Sequence, residues 1–85
     1  MQFNALPFVK CDETGHVIST WTVESSGDYS KDCATGRQHF DQLLRAIDAS
    51  GNLLLLSRVI EGQVKAGHWS GIEIGFTQAM AERVL

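Results

Sequence analysis

The sequence predicts a mainly helical α+β domain, an N-terminal two-stranded antiparallel β-hairpin packed on a three-helix unit in the order ββααα. Three observations predict it. Apolar and polar residues alternate on both sides of Asp12-Glu13-Thr14-Gly15, the apolar period lengthens to three and four after Ser25-Ser26-Gly27-Asp28, and Gly51 and Gly67 punctuate the helical part. The expected bounds are 6–23 for the hairpin and 28–49, 53–66 and 71–84 for the helices, within one domain spanning 1–85.

In the hairpin, Leu6 to Cys11 and Val17 to Val23 flank a turn in which Gly15 can supply a positive φ. On the second strand Val17, Ser19, Trp21 and Val23 share one face, and His16, Ile18, Thr20 and Thr22 the other, so Trp21 is expected in the core. Pro7, the only proline, is tolerated at the start of an edge strand because no ladder donor is needed there. A lone hairpin is marginal in water, so this one must lie on the helices or pair with another chain.

Asp28 can cap the first helix, and Asp32 in its first turn complements the helix dipole. Tyr29, Cys33, Gly36, Phe40, Leu43 or Leu44, and Ile47 form its apolar stripe, with Lys31, Gln38, Asp41, Arg45 and Asp48 opposite. Gly51 ends the helix and Asn52 is placed to cap the next, a tight linkage that predicts antiparallel neighbours. The second helix begins with Leu53-Leu54-Leu55-Leu56, apolar all the way round, and continues with Val59, Ile60 and Val64 against Arg58, Glu61, Gln63 and Lys65. Ser70-Gly71-Ile72-Glu73 has the spacing of a capping box, with Trp69 and Ile74 placed as a hydrophobic staple. Ile72, Phe76, Ala79, Met80 and Arg83 then follow on one face of the third helix.

The chain is 44% hydrophobic and 20% charged, a globular rather than a disordered composition. Folding a chain of 85 residues buries only about 60–65% of its unfolded surface, so stability is expected to be modest. Seven Lys and Arg against ten Asp and Glu give a formal charge of −3, with no run of either sign, which argues against nucleic-acid binding. The last two helices have the order of a helix-turn-helix, but Glu73, Thr77, Gln78 and Glu82 would face the DNA, with Arg83 the only base. No apolar run reaches membrane-spanning length, and Met1-Gln2-Phe3-Asn4 lacks the basic start of a signal peptide. A cytoplasmic protein without membrane contact is therefore expected, with Cys11 and Cys33 as reduced thiols.

Four constellations could carry chemistry. Cys11, His16, Cys33 and His39 could complete a tetrahedral zinc shell, but their spacing matches no usual ligand pattern, and neither metal nor cofactor is expected. Cys33 or Ser70 with His68 could be drawn as a nucleophilic dyad, although no nucleophile signature surrounds them and His68-Trp69-Ser70 reads more economically as the start of a helix. The polar start of the first helix could hold an anion through its free amides with Lys31, Arg37 and the Ser26 hydroxyl, yet Asp28 and Asp32 would repel one. Finally, Leu53 to Leu56, Trp69, Ile74, Leu85 and the outward Ile18 exceed what a small three-helix unit readily buries. The leading expectation is thus a non-enzymatic protein-interaction or regulatory module, a homodimer or the partner of another protein, acting through an apolar helical surface at Leu53, Leu54, Leu55 and Leu56. The alternative is a small-ligand-binding or enzymatic domain built on Asp28, Lys31, Arg37 and His39, with His68 as a further member.

Overall fold

The structure, a computed structural model, describes residues 2–85 and has the expected order, a two-stranded antiparallel sheet followed by three helices. Strand β1 is Lys10–Cys11 and β2 is Val17–Ser19, with Lys10 opposite Ser19, Cys11 opposite Val17 and an irregularity between the two pairs. The turn between them is organised by Asp12, whose carboxylate accepts from the Thr14 amide (2.9 Å), the Thr14 hydroxyl (2.7 Å) and the His16 amide (2.9 Å). Gly15 takes a φ of 87° there.

The ladder is shorter than the expected 6–23. Phe3–Ala5 forms a short 3₁₀ turn, after which Leu6 and Phe8 drop into the core. At the other end the Ser19 hydroxyl accepts from the Trp21 amide and the Thr22 hydroxyl, a local turn that competes with strand pairing. The Thr22 amide still donates to the Phe8 carbonyl (2.8 Å), which keeps the two segments side by side. Trp21 is buried and Ile18 exposed, as the alternation requires.

Helix α1 is Tyr29–Ser50, α2 Leu54–Ala66 and α3 Gly71–Val84. Asp28 lies outside α1 as its cap, accepting from the Lys31 amide (3.1 Å), and Gly51 closes it at a φ of 70°. Leu53 likewise precedes α2, where the Asn52 side chain accepts from the Leu54 amide (3.1 Å). The capping box of α3 is formed as expected: Ser70 Oγ accepts from the Ile72 amide, and the Glu73 carboxylate accepts from the Ser70 amide.

The broad helix contact is between α1 and α3 rather than between the sequence neighbours α1 and α2. Glycine makes it possible. A Cβ on Gly36 would strike the Ile72 carbonyl and lie 2.7 Å from the Phe76 amide, and one on Gly75 would strike the Cys33 carbonyl. The two backbones therefore touch, and Phe40, Leu43, Ile72 and Phe76 close around the crossing with Leu6, Phe8 and Trp21. The Phe8–Trp21, Trp21–Phe76 and Phe40–Phe76 ring centroids lie 5.1, 5.2 and 5.3 Å apart, in the range of tilted and edge-to-face packing. Helix α2 completes the core with Leu55 and Val59 and lies against the exit of the hairpin, where the Thr20 hydroxyl donates to the Arg58 carbonyl (2.7 Å).

Several side-chain assignments differ from the sequence expectation. Tyr29 is 59% exposed, lying at the rim of the α1–α3 contact, where Gly71 faces both its carbonyl and one edge of its ring. On α2 the buried line is Leu55, Val59 and Gln63, at steps of four, so Gln63 points in and Val64 out. The leucine turn is divided: Leu55 is buried, Leu56 half-buried, and Leu53 and Leu54 are 79% and 68% exposed.

Candidate functional site

The junction of α2 and α3 carries the densest buried polar group. Glu73, expected as a capping partner and as an outward residue of the third helix, is instead fully buried, because its carboxylate turns back to the Ser70 cap and the Trp21 indole. Its Oε2 accepts from Trp21 Nε1 (2.8 Å), its Oε1 accepts from the Ser70 amide (2.6 Å) and hydroxyl (2.7 Å), and His68 Nδ1 stands 3.5 Å from Oε2. Burial alone would raise the Glu73 pKa, but the bonds from Ser70 and Trp21 outweigh it and hold the carboxyl below its usual value. The cap thus joins α3 to the hairpin as well as satisfying the helix start. Trp21 was legible as a core residue, but the partner of its indole N–H was not, because the two lie 52 residues apart.

This geometry commits Ser70. Its proton goes to Glu73 and its oxygen to the Ile72 amide, so its hydroxyl is not directed at His68. Cys33, the other nucleophile drawn with His68, has its backbone pressed against Gly75 in the α1–α3 crossing.

The polar start of α1 is organised around Asp32, which is buried rather than facing the solvent at the helix dipole. Hydrogen bonds from the Ser25 hydroxyl (2.6 Å), the Ser26 hydroxyl (2.8 Å) and the Ser26 amide (3.1 Å) lower its pKa. Asp28, Lys31, Arg37 and His39 do not converge. The helix rises about 1.5 Å per residue, so Asp28 and His39 lie about 16 Å apart along its axis. Asp28 caps the helix, Lys31 is exposed, and Arg37 donates to Glu82 of α3 (2.6 Å). His39 packs its ring 4.8 Å from Phe8 and 5.9 Å from Trp21. Burial lowers its pKa, outweighing the opposing contact with Gln42, so the imidazole is neutral in the fold at pH 7.

Cys11 and His16 belong to the hairpin, where Cys11 Sγ faces the Asn4 carbonyl (3.9 Å) and His16 Nδ1 the Thr14 hydroxyl (2.6 Å). Cys33 and His39 belong to α1. Among the described residues, no group of three or more His, Cys, Asp or Glu side chains is arranged to hold a metal ion. Nor is any described helix long and apolar enough to cross a membrane.

Two largely apolar grooves flank α2. One, about 480 Å³, lies between Phe40, Leu44 and Ile47 of α1, Leu56 of α2, and Met80 and Val84 of α3, with Asp48 and Arg83 on it as charges. The other, about 400 Å³, lies at the opposite end of α2 between Ile60, Gln63, Val64, Gly67, His68, Trp69 and Thr77. Leu56 in the first groove belongs to the sequence-expected apolar turn, whereas the second groove joins Ile60, Gln63 and Val64 of α2 to Gly67-His68-Trp69 and to Thr77 of α3, segments that the sequence does not place together.

These features define a hairpin-and-three-helix α+β domain with apolar grooves at both ends of its middle helix. No protein-family model, no curated protein and no solved structure matches the chain.

Proposed function

We propose that this protein is a non-enzymatic interaction module that works as a homodimer through the groove between the second half of α1, Leu56 and the end of α3. The observation that carries this reading is the groove with its bounding segments, in which Leu53, Leu54, Val84 and Leu85 are all more than two-thirds exposed. Apolar surface concentrated in this way is unusual on a soluble monomer and is stabilised by being covered. The charges on the groove support a second copy as the cover. Asp48 and Arg83 form no salt bridge among the described residues. A twofold contact sets residue i against j and j against i, so one acid and one base beside an apolar groove are self-complementary.

The test is native mass by light scattering across a concentration series. A dimer is expected, weakened by Arg83→Asp and restored when Asp48→Arg is added. Leu54→Glu should dissociate it into folded monomers, because Leu54 lies outside the core. Leu55 cannot serve this purpose, since it is itself core. A monomer at every concentration, or a dimer indifferent to all three variants, overturns the reading.

A further inference from the structure

The seat of the hairpin on α1 contains a titrating ring. His39 is half-buried, with its ring centroid 4.8 Å from that of Phe8 and 5.9 Å from that of Trp21, so it lies where both hairpin segments meet the helix. Phe8 and Trp21 are themselves buried. The hydrogen-bond partner of the ring is the Gln42 side-chain oxygen, 3.1 Å from Nδ1, and among the described residues His39 forms no salt bridge. From its own helix, the side chains three and four positions away are Thr35, Gly36, Gln42 and Leu43, all uncharged. The hairpin presents Phe8 and Trp21, which do not titrate here, and the carboxylate that α3 brings to this cluster, Glu73, is engaged by the Trp21 indole and the Ser70 cap. A phenylalanine would fill the same seat without a group that can be charged.

We infer that His39 makes the seating of the hairpin acid-sensitive: mild acid charges the imidazole and loosens Phe8 and Trp21 from α1, while the α1–α3 crossing stays closed. A charged ring regains full hydration only by leaving its aromatic neighbours. Burial holds the His39 pKa below its usual 6.5 in the fold, against the opposing contact with Gln42, so the opened form binds more protons than the closed one once the pH drops below 6.5. The seat therefore weakens as the pH falls from 6.5 to the folded pKa, and weakens no further below it. The crossing is set by main-chain contacts at Gly36 and Gly75, which carry no titrating group. Glu73 and Asp32 stay charged through this window because their hydrogen bonds hold both carboxyls below their usual values.

The experiment is an NMR titration of the full chain from about pH 7.5 to about pH 5, following the His39 ring protons and the hydrogen exchange of the Trp21 indole N–H, the donor that links the hairpin to α3. The His39 midpoint should lie below 6.5. Corrected for intrinsic rate, the indole exchange should accelerate relative to the Phe76 amide of the crossing, approaching about tenfold per pH unit between 6.5 and that midpoint. His39→Phe should remove the acceleration, and because His16 and His68 are present in both proteins the difference isolates position 39. If His39→Phe does not fold, the midpoint and the exchange of the wild type decide. The inference is overturned by a midpoint at or above 6.5, as for a cation held on an aromatic face, by indole protection independent of pH, by equal loss of protection at Phe76, or by the same acceleration in His39→Phe.

Discussion

The α1–α3 pair and helix α2 are held by different kinds of contact. Between α1 and α3 the backbones meet at Gly36 and Gly75, so the geometry is set by main-chain atoms that cannot rotate away. Helix α2 also brings a glycine, Gly62, against the hairpin, but the atom a Cβ there would strike is the Thr20 hydroxyl, and the nearest backbone atoms, Thr20 C and Trp21 N, stand back at 3.1 Å. Both grooves border α2, as do the exposed Leu53, Leu54 and Val64. Backbone-to-backbone packing leaves no room for a ligand or partner, whereas a helix seated on side chains leaves clefts along its flanks. The α1–α3 pair is the close-packed centre, and α2 borders both grooves.

That contrast can be broken most directly at its glycines. Gly75→Val places side-chain carbon on the Cys33 carbonyl and should cost about 3 kcal/mol or more, or prevent folding. Gly62→Ala should cost only about 1 kcal/mol, because the displaced Thr20 hydroxyl is partly offset by the better helix propensity of alanine. Urea unfolding of both variants measures the difference, and equal losses would show that α2 is held as tightly as the pair it packs on.

The leucine turn sharpens the same comparison within α2. Leu55→Ala should lose about 3 kcal/mol, since Leu55 is 4% exposed in the common core. Leu54→Ala should change the unfolding free energy of a monomeric sample by less than about 0.5 kcal/mol. Similar losses at the two positions, read from denaturant midpoints, would contradict the division of this turn into core and surface.

A substitution at Glu73 tests the polar link between the α1–α3 pair and the hairpin. Glu73→Gln should cost about 2 kcal/mol at pH 7 by replacing charge-assisted bonds to Trp21 and Ser70 with neutral ones. The Glu73 pKa is lower in the fold than its usual 4.5, so its electrostatic stabilisation is complete above that value and lost as the pH falls through the folded pKa. The gap between wild type and Glu73→Gln should therefore narrow below pH 4.5 in urea titrations. A gap independent of pH would assign the loss to packing instead. The wild type should retain a further acid-sensitive contribution from Asp32, which Ser25 and Ser26 hold in its charged form.

Much of the architecture was legible because its signals are local. The capping box at Ser70 and Glu73, the Asp28 cap, the glycines at 51 and 67 and the turn at Asp12 to Gly15 involve residues within a few positions of one another. The shortened ladder was less legible, because alternation does not reveal that the Ser19 hydroxyl will bond nearby groups or that Leu6 will leave the strand for the core. Of the four residues expected at the polar start of α1, Asp28 was correctly read as a cap, but the partners of Arg37 and His39 come from α3, Phe8 and Trp21. No periodicity within one helix names a partner on another segment.

By itself the sequence determined the order of the hairpin and three helices and where the helices end, because backbone dihedral preferences, caps and the periods of apolar residues act over one or two turns. Tertiary structure decided which apolar and polar residues were used for what. It turned Gln63 inward and Val64 outward, divided the four leucines, and buried Glu73 beneath the Trp21 indole. The physical reason is that burial depends on which surface arrives opposite. Here that was set by the close α1–α3 crossing at Gly36 and Gly75, which left α2 to pack against the hairpin and opened a groove at each of its ends.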